Sequence, residues 1–307
     1  MEIIRPGIKI DFMGKRRYAF PLSGILIVIG ILSLIMHGGP NYGIDFAGGT
    51  LAQVRFSQPV DLDEIRDALK DVELGKCVIQ RFGAEGKGEY LIRLERDSSD
   101  LAGLSSLVNE ALAKKFGEKD FEIRRTEMVG PKVGKDLRSK GIKAIIFSLI
   151  GILIYISWRF EFRFAVGAVV ALAHDVMITV GILSLTNKEF SLPVLAALLT
   201  IVGYSLNDTI VVYDRIRENM RRMRKETHEN VVNLSVNETL SRTILTSVTT
   251  LIVIVILFLR GGGVIHGFAF ALLIGIIVGT YSSIFVASPV VLFWEQKFPK
   301  KGQKRRR

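Results

Sequence analysis

The sequence predicts a polytopic α-helical membrane protein with six spans and one α+β domain inserted between the first span and the second. Apolar runs near or above eighteen residues, the length that crosses a hydrocarbon core of ~30 Å, lie at about 18–36, 141–158, 164–185, 192–213, 243–259 and 268–293. The stretch 37–140 has no such run and is rich in charge. The mean hydropathy of +0.35 is high for a chain that folds in water.

Residues 1–17 form a basic leading segment with Arg5, Lys9, Lys15, Arg16 and Arg17. The first span, 18–36, follows it in the manner of a signal peptide. Its length and the Met36-His37-Gly38-Gly39-Pro40 sequence, which offers no small-residue cleavage pattern, read instead as an uncleaved anchor. In 37–140, Leu51 to Phe56 alternates as a strand, and Asp61 to Val72 places Leu62, Ile65, Ala68, Leu69 and Val72 on one helical face behind a capping Asp61 or Asp63. Cys77 to Phe82 and Glu89 to Leu94 read as a hairpin around the turn-rich 83–88 segment. Leu101 to Phe116 reads as a helix and Phe121 to Met128 as a last strand. The order β-α-β-β-α-β is the ferredoxin-like pattern, which by itself names no function. Cys77 is the only cysteine, so the domain relies on its apolar core rather than on a disulfide.

The segment Gly130 to Lys140 returns to the membrane. Its Gly-Pro-Lys-Val-Gly-Lys-Asp is one residue short of a phosphate loop and puts Asp136 where a hydroxyl is required, so no nucleotide or other cofactor is expected. Residues 141–296 form a five-span block. Within it, 214–241 reads as an amphipathic segment along the cytoplasmic face, and 297–307 as a basic, disordered tail.

The net charge of +11 raises the question of nucleic acid, but its distribution excludes that class. Residues 37–143 hold 18 Lys/Arg and 18 Asp/Glu, which cancel. If the N-terminus is cytoplasmic, the inner segments hold 21 basic residues and the short outer loops only Lys188 and Arg260. This positive-inside bias places both termini in the cytoplasm, makes membrane lipid the surrounding partner, and leaves no basic face for nucleic acid.

Ionisable residues within spans are costly and need a reason. Asp175 falls near the middle of the third span, after His174, and Asp208 sits beside Asn207 in the fourth. Arg242 opens the fifth span at a depth similar to Asp208, with Thr246, Thr249 and Thr250 above it on one stripe. Thr200, Tyr204 and Asn207/Asp208 share a face of the fourth span, and two such faces turned together make a polar seam. Burial favours the neutral form of Asp208 and a guanidinium favours its carboxylate, so moving Arg242 or admitting water loads or releases a proton. A structural ion pair or helix glue is the alternative reading. Gly275, Gly279 and Ser283 have the spacing of close helix packing. Gly203-Tyr204-Ser205 resembles part of an intramembrane serine protease motif, but Leu206 replaces its second glycine and no histidine is suitably placed. An enzyme is therefore not expected.

Gly43-Ile44-Asp45-Phe46-Ala47-Gly48-Gly49-Thr50 resembles the glycine-rich signature of the SecD/SecF export family. Similar to that family, too, are Val129 to Gly134, the long segment Val202 to Asn219 around Asp208, and Ser241 to Ser247 around Arg242, in order along the whole chain. The resemblance implies an RND-superfamily half that pairs with SecD, associates with the SecYEG channel and with YajC, and uses the proton-motive force to draw SecA-driven preprotein outward across the bacterial inner membrane. It maps the family's intramembrane acid and arginine onto Asp208 and Arg242, with Asn207, Thr246 and Asp175 nearby. Gly43, Asp45, Gly48, Gly49 and Thr50 carry the outer-side signature. A half-transporter for lipid or a small molecule is the second reading, and a purely structural assembly subunit the third.

Overall fold

The computed structural model describes residues 9–70, 76–81, 88–95 and 102–298. The expected turn at 83–88 (save Gly88), the end of the 61–72 helix, the start of the 101–116 helix, Arg5 and nearly all of the basic tail lie outside the described residues.

Among the described residues, six helical spans are long and apolar enough to cross a membrane. The first, α1 (Phe12–Met36), begins before the apolar run because the Asp11 carboxylate accepts from the Gly14 N–H and caps it. After a short helix, α2 (Ile44–Ala47), comes β1 (Gly49–Phe56), then α3 (Leu62–Lys70), β2 (Lys76–Arg81), β3 (Glu89–Glu95), α4 (Ala102–Phe116) and β4 (Phe121–Val129). The sheet order is β2-β3-β1-β4 with all neighbours antiparallel. This is the split-βαβ arrangement expected from the element order. Alternation sends Ala52, Val54, Phe56, Tyr90, Ile92 and Leu94 to one face, where Ile65 and Leu69 of α3 and Val108 and Leu112 of α4 close the core.

The membrane half comprises α5 (Pro131–Arg159), α6 (Phe162–Leu185), α7 (Leu192–Arg222), α8 (His228–Arg260), α9 (Gly262–Ser282) and α10 (Ser288–Lys297). Half or more of the most apolar window of α6, α7 and the last span is buried, against 22% in α1, 11% in α5 and 17% in α8. The first group is therefore the inner bundle and the second presents apolar side chains such as Ile35, Phe147, Ile154 and Val253 outward. At the α1–α6 crossing, a Cβ on Gly30 would lie 2.8 Å from the Gly181 Cα, so both glycines set how closely the helices approach. Ser33 and Ser184 bond across the same contact at 2.8 Å.

Two expectations need correction. Residues 214–241 do not form a separate surface helix. α7 runs on to Arg222 and α8 starts at His228, a hairpin whose two arms are the membrane helices themselves. At ~1.5 Å per residue such helices outrun the hydrocarbon core, and their extensions pack together. Tyr213 and Ile216 share a core with Val232, Val236 and Leu240, and Asn219 donates to Ser235 at 3.1 Å and to Glu238 at 2.6 Å. The last span is also not one continuous α-helix. Pro289 has no N–H for the carbonyl of Phe285, and a π-helical turn, Ser283–Ala287, lies just before it. The Tyr213 hydroxyl donates to the Ala287 carbonyl at 3.2 Å beside that turn.

Candidate functional site

The inner face of α7 is drawn by its period: Val194, Ala197, Leu198, Ile201, Val202, Ser205, Asp208, Thr209 and Val212 are all buried. Asp208 therefore points into the bundle, only 3% exposed. The approach of α9 requires small residues. A side chain on Gly275 would overlap Ile201, and a Cβ on Gly279 would lie 3.0 Å from the Ser205 Cβ.

The hydroxyls of Thr246 and Ser247 on α8 neighbour Asp208, which also feels the Arg242 charge. Both hydroxyl protons are already committed. Thr246 donates to the backbone carbonyls of Arg242 and Thr243 at 3.0 Å. Thr280 gives its proton to the Ile276 carbonyl at 2.7 Å, so in the 2.7 Å Ser247–Thr280 contact Ser247 is the donor. Asp208 Oδ2 is consequently buried without a hydrogen bond. Among the described residues Asp208 and Arg242 form no direct ion pair, so the pairing expected from the sequence is replaced by an Arg242 charge acting on the acid without contact. A carboxylate so placed is costly, whereas a protonated carboxyl could donate to either hydroxyl oxygen.

The expected polar seam closes at one point, where the Tyr204 hydroxyl donates to Thr250 Oγ1 at 3.3 Å. Thr200, Asn207, Arg242 and Thr249 instead lie on the exposed side of α7 and α8. Asn207 thus points away from its neighbour's pocket.

Asp175 belongs to a second cluster. It is fully buried, and its Oδ2 accepts from Ser205 at 2.6 Å and from Ser282 at 2.8 Å. His174 Nδ1 lies 2.9 Å from Asp175 Oδ1. Ser205 stands three residues before Asp208, so the two acids sit one turn apart along α7. Sequence reading missed Ser23, Tyr281 and Ser282, for which a polar residue interrupting an apolar run was the signal on offer, and it noted Ser205 only in a rejected protease motif and a family segment.

The glycine-rich motif builds the joint between domain and bundle. Gly48, at φ +79°, and Gly49, at φ +120°, turn the chain from α2 into β1 in conformations reserved largely for glycine. A Cβ on Gly48 would lie 2.7 Å from the Pro131 Cα. Gly43 N–H donates to the Phe190 carbonyl at 2.9 Å, and Phe190 N–H to the Asn41 carbonyl at 2.7 Å, so the chain after α1 is strapped to the α6–α7 connection. The Asp45 carboxylate accepts from the Leu192 N–H at 2.8 Å at the start of α7. Thr50 is buried in β1 against β3 and β4. Arg93 donates to the Tyr42 carbonyl from the sheet side. A cleft of about 410 Å³ opens between sheet and bundle, lined by Asp45, Gln53, Arg81, Arg125, Glu189 and His266 among others.

Comparison with known proteins agrees over the whole chain. The family model "Protein export membrane protein SecD/SecF, C-terminal" matches residues 108–297 and "SecD/SecF GG Motif" matches residues 34–60. The chain is 50% identical to protein translocase subunit SecF of Desulfurispirillum indicum over 94% of this chain and 93% of that one. It is 51% identical to its counterpart in Magnetococcus marinus over 96% and 95%. The crystal structure of SecDF, a translocon-associated membrane protein from Thermus, superposes with a TM-score of 0.85 at 39% identity, over 94% of this chain and 39% of the SecDF chain. SecDF in its super-membrane-facing form gives 0.69 at 39% identity, over 97% and 40%. The present chain thus spans about two fifths of SecDF. On matched motifs, length and fold, the chain belongs to the SecD/SecF family of protein-export membrane proteins, on its SecF side.

Proposed function

We propose that the chain is the SecF subunit of a protein translocase, and that with SecD it converts the proton-motive force into outward movement of preprotein leaving the SecYEG channel. The observation that carries the proton role is the buried Asp208 Oδ2, with no donor among the described residues, under the influence of the Arg242 charge. Charged, that acid opposes burial and attracts the guanidinium; protonated, it donates to Thr246 or Ser247 and releases it. The two states favour different α7–α8 spacings.

A force of ~200 mV supplies roughly 4.6 kcal/mol per proton, at about 2.3 kcal/mol per 100 mV. Moving a two-state population from 1:99 to 99:1 takes about 5.5 kcal/mol. One proton per cycle therefore comes close to that requirement, and two exceed it. Movement of α7 reaches the α+β domain through Asp45 and the strap at Phe190.

Thr200, Asn207, Arg242 and Thr249 on the open face of α7 and α8 are poorly suited to lipid and suited to a partner helix pair, which supports SecD as the neighbour there. YajC and SecA-engaged preprotein are further partners in this reading. The charge bias supports cytoplasmic termini in a bacterial inner membrane. The test is Asp208→Asn in inverted vesicles. Proton-dependent export is expected to be lost while SecD still co-purifies. Normal export by that variant would leave the chain a structural assembly subunit.

A further inference from the structure

The hydrogen-bond chain around His174 has a direction fixed by its far end. The Tyr281 hydroxyl has one proton and gives it to the Ala19 carbonyl at 2.8 Å, because a carbonyl can only accept. In the 3.1 Å contact between Ser23 Oγ and Tyr281, the donor is therefore Ser23. The serine proton being committed, the 3.0 Å contact between His174 Nε2 and Ser23 Oγ requires Nε2 to carry a proton and donate. A neutral imidazole protonated at Nε2 has a bare Nδ1, and that nitrogen lies 2.9 Å from Asp175 Oδ1. Two bare acceptors do not bond. A further proton must sit between them, as imidazolium with carboxylate or as imidazole with carboxylic acid.

We infer that His174 and Asp175 form a second protonation site in the membrane bundle, a buried pair that holds one exchangeable proton and is oriented by Ser23 and Tyr281. The site is assembled from four spans: Ser23 on α1, the pair on α6, Ser205 on α7, and Tyr281 with Ser282 on α9. His174 is 6% exposed and Asp175 fully buried, so bulk water does not relieve the pair. Its titratable surroundings are sparse among the described residues. α7 brings Asp208 one turn away and α9 brings Tyr281. α5 has no histidine or charged residue between Lys143 and Arg159, and Glu295 of α10 pairs with Arg163 near the far end of α6.

When the proton leaves, a carboxylate faces an imidazole lone pair in a low-dielectric interior. His174 can relieve this only by taking its remaining proton to Nδ1, and Nε2 must then accept from Ser23, which the Tyr281 bond prevents. Loss of the proton therefore strains the contact of α1 and α9 with α6, in a place distinct from the Asp208 seam. The inference does not depend on the role of Asp208.

The test is solid-state NMR of the full chain, ¹⁵N-labelled at its four histidines, co-purified with SecD in lipid bilayers, with His174→Gln to assign the signal. The wild type is expected to show a protonated Nε2 and a proton between Nδ1 and the Asp175 carboxyl. Tyr281→Phe keeps the ring and frees the Ser23 proton. With Nε2 then able to accept from Ser23, that variant is expected to hold the ring proton on Nδ1. A bare Nε2 in the wild type, or identical ring-nitrogen signals in wild type and Tyr281→Phe, would overturn the inference; the first readout is made on the wild-type chain itself, with His174→Gln serving only to assign it.

Discussion

The Asp45 carboxylate accepts a hydrogen bond from the Leu192 N–H at 2.8 Å, so an acid of the glycine-rich motif caps the helix that carries Asp208. Helix starts leave N–H groups without partners, and a capping acid satisfies one of them while opposing the positive end of the helix dipole. Asp45→Ala should cost about 1 kcal/mol of stability, within the usual 0.5–2 kcal/mol range for a lost cap, and Asp45→Asn much less. Thermal unfolding of the detergent-solubilised chain reads this directly. Equal midpoints for Asp45→Ala and wild type would remove the cap from the account.

Glu189, in the α6–α7 connection, has its acidity pushed upward in pH. The main cause is burial at the joint, reinforced by the neighbouring charges of Asp45 and Glu127 and opposed by Arg93 and the Ile44 amide. An acid whose value is raised in the docked joint binds its proton more tightly there than when the joint opens. The docking contribution is thus present in full below the ordinary 4.5 and is lost as pH rises from there through the raised value. Glu189→Gln should therefore slow hydrogen exchange at the Gly43 and Phe190 amides at pH 7.5, with the difference fading toward acid pH. Equal protection at both pH values would contradict the sign.

The Cys77 thiol is pushed up to about 11 by burial, partly offset by Arg66. The nucleophile is the thiolate, so its population at pH 8 is roughly 100-fold below that of a thiol at the ordinary 9.0. Iodoacetamide should label Cys77 slowly in the native chain and rapidly in denaturant. Rapid native labelling would show that the core around β2 is open.

The spans and the β-α-β-β-α-β order were legible because period and length suffice for both: a run of eighteen apolar residues admits few other readings, and Leu51 to Phe56 alternates plainly. Asp208, Asp175 and Arg242 were legible because a charge in an apolar run stands out. Thr246 was read on the Arg242 stripe as well, but the serine partners were not. Ser205, Ser247 and Ser282 matter through the geometry of helices distant in sequence, and a serine in a span ordinarily bonds its own backbone. The role of Asp45 as a cap for α7, 147 residues away, is set by tertiary contact alone. The π turn before Pro289 could have been anticipated from that proline.

In the proposed cycle Asp208 gains and loses a proton. Proton influx into vesicles holding the reconstituted chain with SecD and a pH-sensitive dye in the lumen reads this step. The wild type should acidify the lumen under an imposed gradient, while Asp208→Asn should be silent and Arg242→Lys reduced. Influx at the wild-type rate through Asp208→Asn would contradict the claim.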